Sequence, residues 1–89
     1  MRAILALMLT ATQAIGAPCA TRDVLVGALA GQWGETLQAQ AVDGAGRLVE
    51  VWASPKTGTW TITATNAADV ACVLGAGGKF KTIPPGDPA

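Results

Sequence analysis

Two cysteines, Cys19 and Cys72, constrain this chain more than any other residues, because they are the whole cysteine complement of its 89 positions. Whether they are joined depends on the compartment the chain reaches. The first residues, MRAILALMLTATQAIGAPC, carry a positive Arg2, then an apolar run from Ala3 to about Ala11, then small and polar side chains. That order is the order of a secretory signal peptide. The apolar run is shorter than the roughly 20 residues a spanning helix needs, and Thr10, Thr12 and Gln13 interrupt it. Ala14 and Gly16 supply the small residues that signal peptidase reads, which places cleavage before Ala17. Pro18, directly before Cys19, departs from the small residue that precedes a lipidated cysteine, so no lipid anchor is expected. The expected organisation is a signal peptide over 1–16, a domain over 17–78 and a proline-bearing, disordered tail over 79–89 that Phe80 could pin at its start.

Export, periplasmic or secreted, makes the even cysteine pair a disulfide with one possible connectivity. A mature chain of about 73 residues buries too little surface to be comfortable on core packing alone. Bridging Cys19 to Cys72 closes a loop of about 54 residues, which the chain-entropy treatment values at about 4 kcal/mol. Redox chemistry is disfavoured by the absence of a Cys-x-x-Cys spacing. Metal binding is disfavoured too: there is no histidine, and two thiolates fall short of the usual four ligands.

The patterned region begins at Thr21, an N-cap candidate followed by Asp23 in the first turn and by Val24, Leu25, Ala28, Leu29 and Gln32 or Trp33 at helical spacing. Gly34 fits the position just past the helix, while Gly27 and Gly31 lower its intrinsic propensity and leave it dependent on packing. TLQAQAV from Thr36 alternates like a half-buried strand, and DGAG from Asp43 is turn chemistry. RLVEVWA over 47–53, the turn SPKTG, TWTITAT over 59–65 and VACVL over 70–74 continue the alternation. The predicted class is α+β: one short N-terminal helix packed on a four-stranded antiparallel meander and stapled by one disulfide.

With Ala53 set opposite Thr59 around SPKTG, the hairpin register places Trp52, Trp60, Leu48, Ile62 and Ala64 on the helix side, with Cys72 beneath the helix. Thr59, Thr61, Thr63 and Thr65 then face water. Together with Val49 and Val51, Thr59, Thr61 and Thr63 form a mixed apolar and hydroxyl surface, the candidate interaction face. Glu50 is the one charge this register turns inward, with Arg22 as its available partner; a bulge or an edge position that returns it to solvent is the favoured alternative. One threonine row is not the multi-strand lattice that ice recognition needs.

Composition excludes more than it assigns. Without His or Tyr, with one serine in a Ser-Pro turn and carboxylates scattered singly, no nucleophile-and-base constellation can be assembled, so no enzymatic activity and no cofactor are expected. Six basic and six acidic residues leave no basic patch for nucleic acid, and the mature chain is not expected to insert stably in a membrane.

The positions of Cys19, Trp33-Gly34-Glu35, Leu48-Val49-Glu50-Val51, Gly58-Thr59-Trp60-Thr61 and Cys72 resemble a group of small exported proteins of unknown function from proteobacteria, chiefly the alpha class. The resemblance implies export and the cysteine pairing, and nothing about mechanism. The functional expectation is a non-enzymatic binding or accessory protein acting on a protein or envelope component. A small inhibitor of an exported hydrolase, acting through the SPKTG or DGAG turn, is the alternative.

Overall fold

The computed structural model describes residues 18–86, so the expected signal peptide and its cleavage site lie outside the described residues. The chain runs β1 (Cys19–Thr21), α1 (Arg22–Trp33), β2 (Thr36–Val42), β3 (Leu48–Ala53), β4 (Trp60–Thr65) and β5 (Val70–Gly77). All strand pairs are antiparallel, in the order β1-β5-β4-β3-β2. The expected meander is therefore present as β2 to β5. A fifth strand, β1, precedes the helix, which is not N-terminal but joins the two edges of the sheet.

That connection fixes the layout. Five strands spaced about 4.8 Å apart put β1 and β2 about 19 Å from one another, and the 12 residues of α1 rise about 18 Å. The helix has just the length to cross one face. It starts at Thr21, whose side chain makes no capping bond, and ends at Gly34 in the left-handed conformation that glycine adopts without penalty. There the Gly34 N–H donates to the Ala30 carbonyl and the Glu35 N–H to that of Leu29. Leu29 is its buried residue; Val24, grouped by spacing with the inward stripe, is exposed.

The turn after β3 decides the faces. Ser54 donates its N–H to the Thr59 carbonyl, so the loop proper is the four residues 55–58 and Ala53 pairs with Trp60, not Thr59. A shift of one residue moves every side chain of a strand to the other side of the sheet. Trp52 accordingly pairs with Thr61, Glu50 with Thr63 and Leu48 with Thr65. The threonine row, expected to face water, is buried under the helix side: Thr61, Thr63 and Thr65 are all at most 7% exposed. Val49, Val51, Ile62 and Ala64 lie on the far face. Cys72, opposite Ala64, keeps the face expected for it beside Ile62, but that face is away from the helix.

Two hairpins share one construction. Asp43 opens the β2–β3 turn and Asn66 the β4–β5 turn, and each accepts backbone N–H groups two and four residues ahead on its side-chain oxygen. Each turn closes through a left-handed residue, Gly46 in the first and Asp69 in the second. Further on, Trp60 lies against Gly77, where a Cβ would come within 2.9 Å of its ring. Phe80 is half-buried and donates its N–H to the Gly58 carbonyl, which pins the start of the tail.

The disulfide joins Cys19 to Cys72, directly opposite one another in the β1–β5 ladder. Three residues of β1, extended by a bond from the Val73 N–H to the Pro18 carbonyl, are a short zipper to hold a sheet edge. Replacing both cysteines by serine is expected to lower the unfolding free energy by about 4 kcal/mol in denaturant titration, with β1 amides losing hydrogen-exchange protection first.

A buried ion pair and an apolar cleft

The helix-covered face carries a polar centre. Glu50 is fully buried on β3, the middle strand but one, and no bulge turns it outward; the irregularities of the sheet fall instead beside Gln38 in β2 and in β5 opposite Ile62 and Thr63. Its two oxygens accept Arg22 Nε at 2.8 Å and Nη2 at 2.7 Å, a bidentate fork, and Oε2 also accepts Gln40 Nε2 at 2.9 Å. Arg22 is the first residue of α1, so this pair fastens the helix start over the sheet. The guanidinium also lies over the Trp52 ring, 5.6 Å from its centroid. Trp52 in turn donates Nε1–H to Thr63 Oγ1 at 3.0 Å. The hydroxyl row thus has a defined use at Thr63: it satisfies the indole that would otherwise be an unpaired buried donor.

The Arg22 bonds hold the Glu50 carboxyl below its ordinary value of 4.5, against the opposing effect of burial, and Gln40 adds to the lowering. The same contact raises the Arg22 guanidinium. A carboxyl depressed in the folded state contributes stability that is fully present above the ordinary value and lost as pH falls through the folded one. Denaturation midpoints should therefore hold steady from neutral pH to about pH 5 and fall in more acid solution. Replacing Glu50 by Gln should flatten that acid limb. Arg22→Met, which strands the carboxylate, should cost about 3 kcal/mol at neutral pH, whereas Gln40→Ala should cost about 1 kcal/mol.

Along α1 from Leu25 to Trp33, helix and sheet part to leave a cleft of about 500 Å³. Its walls include Leu25, Leu29 and Trp33 from α1, Thr61 from β4 and Val73 from β5, with Glu35 at the helix exit. Thr59 also lines it, so two of the four threonine-row residues meet there. Glu35 is 3% exposed, and its Oε1 is buried without a hydrogen-bond partner. Every other element of the cleft is apolar or a neutral hydroxyl. The volume falls within the range of small-molecule sites, and the composition, an apolar wall with a few polar groups, is theirs as well.

The residues expected to form one interaction face are divided. Val49 and Val51 stand on the far face, Thr61 and Thr63 on the helix face, and only Thr59 and Thr61 reach the cleft. The physical reason is the register set by the Ser54–Thr59 pair. Sequence reasoning passed over Glu35. Its signal was available: an acidic residue directly follows the glycine that ends the helix, where the exposed carbonyls already make the field negative. Comparison with models of known families, with curated proteins and with solved structures returned no match.

Proposed function

We propose that this protein is a small exported, non-enzymatic binding or accessory module whose binding element is the cleft between α1 and the β4–β5 end of the sheet. The observation that carries this reading is the buried Glu35 carboxyl, left without a partner at Oε1 in an otherwise apolar cleft. Leaving a buried polar atom unpaired costs about 1–3 kcal/mol, a cost a ligand would remove. The disulfide supports a non-cytoplasmic setting, and no helix among the described residues is long and apolar enough to cross a membrane.

A second reading, inhibition of an exported hydrolase through the β3–β4 turn, is favoured by the order of that loop. Gly58 N–H donates to the Ser54 carbonyl at 2.7 Å and Thr57 N–H to Ser54 Oγ at 3.3 Å, while Pro55, Lys56 and Thr57 remain exposed. A preorganised tip loses little entropy on docking.

Amide shift mapping of the labelled protein, titrated with fractionated envelope extract, separates the two. Perturbations centred on Leu25, Leu29, Thr61 and Val73 are the expected result. Shifts confined to 55–58 would transfer the function to the turn, and a response at neither place would remove the binding reading.

A further inference from the structure

Among the described residues no basic side chain lines the cleft. Among the described residues Arg22 is held by Glu50 and Arg47 by Asp43, and Glu35 has no ion-pair partner. Glu35 is therefore a buried carboxyl that the protein itself does not neutralise. It sits two residues past the end of α1, directly after Gly34, and the last turn of α1 contains no basic residue, so the carbonyl end of the helix adds negative potential at the same place. Both contributions favour a positive charge and oppose an anion. The surrounding walls, Leu25, Leu29 and Val73, would desolvate only an apolar body, and Trp33, about half exposed, presents an aromatic surface of the kind that attracts ammonium groups.

Resting on the cleft reading above, we infer that the ligand class of this site is an organic monocation, an ammonium group joined to an apolar aromatic or aliphatic body. The ammonium donates to the Glu35 carboxylate where it lines the cleft, and the body packs between α1 and the sheet. Thr59 and Thr61 supply hydroxyls that can accept a remaining ammonium proton. No bond is made or broken.

Three compounds of nearly equal size serve as probes on the purified protein with its disulfide intact: 2-phenylethylamine, 2-phenylethanol and phenylacetate, each titrated calorimetrically at neutral pH and low salt. The amine should bind about tenfold more tightly than the alcohol, the difference a charge-assisted hydrogen bond makes, and phenylacetate should bind weakest. In Glu35→Gln the amine's advantage over the alcohol should disappear. The ranking on the unsubstituted protein decides the matter even where that variant does not fold. Equal binding of amine and alcohol, or preference for phenylacetate, would overturn the cation assignment while leaving a working cleft. Absence of binding by all three would overturn both the assignment and the cleft reading.

Discussion

Everything in this fold follows from a helix that has to travel from one edge of a five-stranded sheet to the other. β1 and β2 run parallel at opposite edges, and α1 is their only connection. A helix of 12 residues can make that crossing only by lying over the sheet. The face it covers is thereby committed to burial whether or not its side chains are apolar. What it covers is mostly hydroxyl and charge: Glu50, Thr61, Thr63 and Thr65 are all buried on that side, with Trp52 and Ala71.

Such an interface gains less from removal of apolar surface than an ordinary core, and it has to satisfy polar groups instead. The Arg22–Glu50–Gln40 cluster and the Trp52–Thr63 bond do so at the helix start, although the Thr65 hydroxyl stays buried without a partner. Because Arg22 follows β1 directly, the cluster and the Cys19–Cys72 bond act in series: the disulfide holds β1 against β5, and the ion pair holds the next residue over β3. Among the described residues no ion pair fastens the far end of α1. A cleft opens between helix and sheet, and Glu35 lines it with Oε1 buried and without a hydrogen-bond partner. The structure is thus tight where its charges are paired and open where one is not.

Much of this was legible in the residues. The helix, the strands β2 to β4 and the turns headed by Asp43 and Asn66 could be read from caps, alternation and turn chemistry, because those signals are local; the cysteine pairing followed from export and an even count, and the run of β5 past Leu74 to Gly77 could not be read from its glycines. Arg22 could be named as the partner of Glu50, though burial itself was not the favoured outcome. The faces could not be read, since they depend on whether Ser54 belongs to the turn or to the ladder, and SPKTG is compatible with a loop of either length. That single residue reverses the assignment of Ile62, Ala64 and the threonines, while Trp52, Leu48 and Glu50 keep the helix side. β1 was missed because CAT is too short to alternate and pairs only with a strand about fifty residues away in sequence. The cleft is a product of helix placement, so no local pattern encodes it; only the odd siting of Glu35 after Gly34 gave notice.

The most direct test of this account is a proton NMR distance measurement across the helix–sheet interface. Overhauser contacts from the Arg22 side chain to the Trp52 ring, with none from α1 to the methyls of Val49 and Val51, are the predicted result. Contacts from α1 to Val49, Val51 or Ile62, with the Trp52 ring free of Arg22, would place the helix on the opposite face and contradict it.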